Sequence, residues 1–416
     1  MARSTTGIWN SNIGKELNSF NLKMTTFLKN ARLFTPEEDI DYGYLLIDGG
    51  IIKAVGGNGD LVVPQLPDDA EIIDLQGLTL VPGFIDLHVN GGGGADLLSG
   101  GLKAFETTAS FLVSHGVTAF VACLITASPE QTLLALQAAR AYQQANYQHL
   151  PQLLGIHLEG PYISASKPGV HPRDFLRPPS LAEFYRFQKS ADGGIRIVTV
   201  APELPGALEF IEVLRREGII LALGHTDATY QQAKKAIDAG VSYVTHMFNA
   251  MRGFHHREPG TVGAVLDSGG LILEVISDGY HLSPAAQRIL LRLIGYEHLV
   301  LVSDSVSAAG AELDQAKTFA LGETQVWVKE GKAVDAKGLL AGSLLTLDKA
   351  VINFVDFSGC PPLRSAAMAT AIPARVLGLE GKKGCLKAGA DADLAIVDDE
   401  FQVKRVYLRG KTVFPK

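Results

Sequence analysis

An alternation constrains this chain more than any other feature. From residue 78 onward, short apolar runs recur at 78–89, 117–126, 153–159, 195–200, 219–224, 242–246, 271–277 and 299–304. Runs this short, and bounded by turn residues, read as strands covered on both faces, as in a parallel sheet. Amphipathic helical patterns fill most of the gaps, at 102–115, 130–147, 181–190, 207–217, 230–239 and 284–294. Eight strands with intervening helices match the count of an α/β (β/α)8 TIM barrel, with an open doubly wound sheet as the competing arrangement. The connection after the sixth run carries Gly and Pro and no clear helix, so the barrel is expected to be irregular there.

The ends of the chain follow a different period. Residues 26–80 read as β, with Asp48-Gly49-Gly50 as a hairpin turn between two apolar runs. After the eighth run come a β-hairpin at 318–334 that turns at Glu330-Gly331-Lys332, two helices at 344–357 and 363–377, and a final return to β. The β segments at the two ends most simply pair into one small domain. The expected division is therefore an N-terminal extension (1–24), a small β domain in two parts (25–80 and 379–416), and the barrel (81–378).

Composition removes several classes of function. With 37 Lys+Arg against 44 Asp+Glu, a net charge of −7 and no basic tract, neither nucleic acid nor an anionic membrane is an expected partner. Three widely spaced cysteines do not make a disulfide framework. No apolar stretch reaches the roughly 18 residues of a membrane span. The segment from Met1 to Met24 is polar and lacks the apolar centre of a signal peptide, so a cytoplasmic location is expected.

The polar residues concentrate where a barrel places its chemistry, at the C-terminal ends of strands. The first run ends in Asp86-Leu87-His88-Val89-Asn90 and the third in His157-Leu158-Glu159-Gly160-Pro161. The fifth ends in Gly224-His225-Thr226-Asp227, the sixth in Thr245-His246, and the eighth in Ser303-Asp304-Ser305. One buried ionisable group is usually a hydrogen-bonded core residue; several at equivalent strand ends are better explained by a metal. Glu159, His225 and His246 make the two-His, one-carboxylate donor set of catalytic zinc. His157, two residues before Glu159, faces the same interior and is expected to orient a ligand rather than to be one. The run Gly91–Gly94 lacks the spacing and the Lys of a phosphate loop, and is expected to let backbone approach the site closely.

The strings PGFIDLHVNGGGGAD, HLEGPYIS, LGHTDAT, THMFNAM, REPG, SDGYH, VSDSVSAAG, LAGS and GADADL run in this order through the chain. Together they resemble the amidohydrolase superfamily and, within it, the N-acetylglucosamine-6-phosphate deacetylase family. The resemblance covers the chain from about Thr26 onward. It implies a distorted barrel with a small β-sandwich built from both termini, and hydrolysis of the N-acetyl group of a 6-phosphorylated amino sugar. By the same resemblance Glu159, His225 and His246 hold the metal, Asp304 is the catalytic acid/base, and His171 hydrogen-bonds the developing oxyanion. Val170, His171, Asn249, Ala250, Arg257, His281 and the loop Leu340, Ala341, Gly342 fall at substrate-binding positions. Related enzymes use the residue matching Arg257 across a subunit boundary, so a homodimer is expected.

One departure stands out. Many amidohydrolases end the first strand with His-x-His, whereas this chain has His88-Val89-Asn90, and Asn is a poor ligand for zinc or iron. One divalent metal per subunit is therefore expected, zinc ahead of iron, manganese or cobalt, with His88 left as a weak second position. Cyclic amidases, which usually carry a bridging Lys at the end of strand four, are disfavoured by Val200-Ala201-Pro202-Glu203. A deacetylase for the galactosamine epimer stays open, and a non-catalytic scaffold is the reading from another class.

Overall fold

The computed structural model describes residues 25–35, 38–57, 65–311 and 318–415. The expected N-terminal extension lies outside the described residues. The centre of the described structure is a parallel sheet of eight strands in sequence order: β1 (Phe84–Val89), β2 (Val117–Ile125), β3 (Gln152–Glu159), β4 (Ile195–Val200), β5 (Ile220–Leu223), β6 (Tyr243–Val244), β7 (Ile272–Val275) and β8 (Leu299–Leu301). Every residue of β1 and β2 is buried, as a strand covered on both faces requires. The barrel closes where the chain after β8 runs beside β1. There the Asn90 N–H donates to the Ser305 carbonyl at 2.9 Å, and the Asp304 N–H to that of His88 at 3.0 Å. All eight expected strands are present.

Helices α1 (Gly101–Ser114), α2 (Pro129–Ala145), α3 (Leu181–Ser190), α4 (Ala207–Arg216), α5 (Tyr230–Ala239), α6 (Gly260–Leu266), α7 (Pro284–Ile294) and α8 (Leu347–Ser358) follow the strands in turn. Their starts are chemically marked. Ser128 and Ser283 accept backbone N–H groups ahead of Pro129 and Pro284, and Thr229 forms a capping box with Gln232. The sequence offered no helix after the sixth strand, yet α6 is there. Residues Gly260 to Val265 are all buried, so this helix has no polar face and no amphipathic period to detect.

Two other expectations change in detail. The hairpin at 318–334 is a three-stranded antiparallel meander, Phe319–Leu321, Thr324–Lys329 and Lys332–Val334, turning at Glu330-Gly331 as expected. The single helix expected at 363–377 is two short ones, Pro362–Ala367 and Ala371–Val376. Pro373 has no N–H to give the Ala369 carbonyl and its ring would press on that group, so one continuous helix cannot form.

The two chain ends meet in a mixed sheet. Leu394–Val397 lies antiparallel to Thr79–Pro82, which continues into Thr26–Phe34, Asp39–Asp48 and Ile51–Gly57 on one side. Gly49 and Gly50 turn the last hairpin with φ of +62° and +81°, the conformation of a two-residue type I′ loop. Leu28, Leu33, Leu45, Leu80, Leu394 and Ile396 form a core here, separate from that of the barrel. Among the described residues no helix is long and apolar enough to cross a membrane.

Candidate active site

The strand ends converge on a cavity of about 700 Å³. Glu159 closes β3, His225 follows β5, His246 follows β6, and all three are buried. Glu159 Oε1 lies 2.8 Å from His246 Nε2 and 3.2 Å from His225 Nε2, and the two nitrogens are 3.1 Å apart. His225 Nδ1 stands 2.9 Å from the Lys167 carbonyl. A carbonyl only accepts, so the proton sits on Nδ1 and Nε2 carries a lone pair. That lone pair faces a carboxylate oxygen and a second imidazole nitrogen, an arrangement that calls for a cation. The three separations are close to the roughly 3.3 Å edges of a ligand tetrahedron around zinc at about 2.0–2.1 Å, so these residues fit a metal.

Burial opposes ionisation of Glu159, but His88 and the polar imidazoles around the carboxylate outweigh it and hold the carboxyl well below its usual range. Asp304 is the opposite case. Burial raises its carboxyl above the ordinary value although His88 favours the charged form. The Asn90 amide donates to Asp304 Oδ1 at 2.7 Å, and His88 Nε2 lies 3.3 Å from the same atom. The departure from His-x-His thus places a neutral donor on the candidate acid/base.

His171 lies against Thr126 at the end of β2. Its Nδ1 accepts the Thr126 backbone N–H at 3.2 Å, with the Thr126 hydroxyl at 2.9 Å. Burial and the neighbouring His225 push the His171 pKa down to about 3, so the ring is neutral near pH 7. With Nδ1 an acceptor, the proton is on Nε2, which lies 3.9 Å from Glu159 Oε2. His171 is thereby a donor aimed into the site. Gly160 makes this contact possible: its φ is +105°, and a Cβ there would stand 2.1 Å from Thr126 Oγ1.

Val170, Asn249, Ala250, His281, Leu340 and Gly342 also border the cavity. The Asn249 amide donates to the His246 and Met247 carbonyls, bracing the turn, and His281 Nδ1 pairs with Asp278 at 2.6 Å. Ala341 is fully buried and turned away, its N–H bound to Ala333. Arg257 is not brought to the cavity of its own chain. It is exposed, with Nε donating to His256 at 3.1 Å. Nor does Gly91–Gly94 approach the site as expected: Gly91 and Gly92 pair with Asp96 and Ala95, and a Cβ on Gly92 would meet the Phe111 ring.

Several groups escaped the sequence reading. Lys167 and Arg173 border the cavity from the loop after β3. Glu274, buried in β7, accepts the His246 N–H at 2.9 Å and faces His88 Nδ1 at 3.0 Å. Its signal was an acidic residue within the apolar run LILEVI. Cys123 of β2 donates to Glu159 Oε2 at 3.4 Å. His157 bonds the Thr199 hydroxyl at 2.7 Å and touches none of Glu159, His225 and His246 through a hydrogen bond, so it does not orient them directly.

Residues 79–413 match the model of the amidohydrolase family. The chain is 35% identical to the N-acetylglucosamine-6-phosphate deacetylase of Bacillus subtilis, over 93% of this chain and 96% of that one. It is 35% identical to the N-acetylgalactosamine-6-phosphate deacetylase of Escherichia coli O157:H7, over 93% and 99%. A crystal structure of a Mycobacterium smegmatis N-acetyl-D-glucosamine-6-phosphate deacetylase variant, in complex with N-acetyl-D-glucosamine-6-phosphate, superposes with a TM-score of 0.86 at 34% identity, covering 94% of this chain and 99% of that one. This chain belongs to the amidohydrolase family, in its branch of N-acetylhexosamine-6-phosphate deacetylases.

Proposed function

We infer that the chain is a metal-dependent hydrolase that converts N-acetylglucosamine 6-phosphate to glucosamine 6-phosphate and acetate. The observation that carries this reading is the meeting, at one cavity, of three metal donors with a raised carboxyl and a neutral imidazole donor. Glu159, His225 and His246 would hold one divalent metal, zinc by the chemistry of the donor set. Bound there, the metal supplies Lewis acidity and acidifies water.

The chain's own residues do the rest. Asp304 takes the proton of the attacking water and passes it to the departing sugar nitrogen, which cannot leave as an anion. A carboxyl lifted by burial suits both halves of that exchange. Asn90 holds Asp304 Oδ1 and leaves Oδ2 for the proton. His171 Nε2–H donates to the acetyl oxygen as negative charge builds on it, a donor already oriented by Thr126. Val170, Asn249, Ala250, His281 and the 340–342 loop would seat the sugar. Arg257, pointing outward, is assigned to the phosphate of a neighbouring subunit in a homodimer, and a cytoplasmic enzyme fits a sugar phosphate as substrate.

Acetate release from N-acetylglucosamine 6-phosphate, measured before and after chelation and metal return, tests the reading. No chelator-sensitive release would overturn it. The galactosamine epimer is the second reading, favoured by the equal identity to the E. coli relative. The same assay on both epimers decides between them by kcat/KM.

A further inference from the structure

One layer deeper in the barrel than Glu159, three more donors meet. His88, Cys123 and His157 are buried and offer one ligand atom each within 4.8 Å of one another. Cys123 and His157 are direct neighbours across β2 and β3. The mechanism above uses none of the three.

Their hydrogen bonds fix which atoms are available. His88 Nδ1 is 3.0 Å from Glu274 Oε2, and a carboxylate with its usual charge accepts, so the proton lies on Nδ1. In a neutral His88 ring Nε2 then carries the lone pair; it has no hydrogen-bond partner and lies 3.3 Å from Glu159 Oε2. On His157, Nε2 is engaged by Thr199 while Nδ1 is buried and unpartnered. The Cys123 sulfur lies within 4.8 Å of a nitrogen of each ring and 3.4 Å from Glu159 Oε2. A histidine backed by a carboxylate on its far nitrogen is the usual companion of metal ligation. A sulfur with two imidazoles selects a soft or borderline ion over magnesium or calcium.

We propose that His88 Nε2, Cys123 Sγ and His157 Nδ1 form a second cation site for zinc, cobalt or cadmium, with Glu159 Oε2 as fourth donor. Glu159 then joins two sites, Oε1 facing His225 and His246 and Oε2 facing the sulfur. As the ion binds, the thiol proton leaves to solvent. The proposal rests on the reading above only for this shared carboxylate. The competing arrangement is a metal-free imidazolium at His88, donating to Glu274 on one side and Glu159 on the other.

Titration of metal-stripped protein with cobalt(II) alone separates the two. Two equivalents should bind, and one should bring a near-ultraviolet thiolate-to-cobalt charge-transfer band. Cys123→Ser should lose that band and one equivalent while keeping the other. His225→Ala should lose the other equivalent and keep the band. Binding of a single equivalent with no band, or a band that survives in Cys123→Ser, would overturn the site. If Cys123→Ser does not fold, cadmium NMR of the unaltered protein reads the same point through the large shift that thiolate ligation causes. Absence of that shift counts against the site. Failure of the deacetylase reading looks different: the band is present and no acetate is released.

Discussion

At the residue scale, the site depends on proton placement as much as on distance. Lys167 places the His225 proton on Nδ1 through a backbone carbonyl, and Thr126 places that of His171 on Nε2 through a backbone N–H. Neither partner can reverse its role, so each imidazole keeps one tautomer. His225→Ala should therefore remove the ion held by Glu159, His225 and His246, and turnover with it, with the melting curve of the barrel retained, as read by the loss of that metal equivalent in elemental analysis and by circular dichroism. Asp304→Asn keeps the shape and the contact with Asn90 but can neither take nor return a proton. General acid–base groups contribute roughly 10²–10⁴ in rate, so kcat should fall by about that factor with metal content near normal. A variant within a few-fold of the parent kcat would remove Asp304 from the chemistry. The sequence named these residues because each ends an apolar run. It could not show that His225, His246 and Asp304 all adopt left-handed backbone, with φ of +46°, +28° and +49°. Such strain persists only where surrounding structure enforces it, and all three residues line the cavity.

At the scale of elements, strand ends and the loops after them act as single parts. The β3 end carries Glu159, then Gly160, and Gly160 must stay bare for Thr126 to reach His171 across 45 residues of sequence. Gly160→Ala should cost about 1–3 kcal/mol in backbone strain and clash. It should also lower kcat while binding of metal is largely kept, because the displaced part is Thr126 and its bond to His171. Denaturant melts and single-turnover rates check both halves, and an alanine variant with parental kcat would show the Thr126 contact to be dispensable. The elements themselves were legible where one physical rule governed them. Parallel strands are mostly apolar runs with their polar residues gathered toward the C-terminal ends, and α2, α5 and α7 announce themselves by caps. The sequence was silent where the rule failed: α6 has no polar face, and Pro373 divides a helix whose pattern runs straight through. Coupling between distant elements is hidden: the acidic residue in LILEVI marks Glu274 but not its partner His88, and nothing marks Thr126 for His171.

At the scale of the whole molecule, a chain with net charge −7 has no long-range field to gather a dianionic sugar phosphate, so the phosphate must be held by placed donors. Lys167 and Arg173 stand at the cavity within the chain, whereas Arg257 points away from it. Its sequence neighbour Glu258 does not occupy it, since that carboxylate accepts the Tyr230 and Gly260 N–H groups instead. An exposed guanidinium beside two imidazoles in tilted contact, His255 and His256 with ring centroids 4.3 Å apart, is well formed to reach a second subunit. On that assignment, Arg257→Ala should weaken kcat/KM for the 6-phosphorylated sugar by roughly 2–4 kcal/mol, the scale of losing a charged partner from a bound anion. Turnover of the unphosphorylated acetyl sugar should barely change. The trans geometry adds a sharper expectation. Mixed dimers of Arg257→Ala and Asp304→Asn chains contain one site with both an intact acid/base and an intact neighbouring Arg only if the Arg crosses the interface. In that arrangement the Arg257→Ala chain supplies Asp304 and the Asp304→Asn chain supplies Arg257. Unfolding and refolding the two variants together should then restore activity toward the phosphorylated sugar, to about a quarter of the parent's for random pairing. With Arg257 acting within its own chain, every site in the mixture lacks one group or the other, and no activity returns.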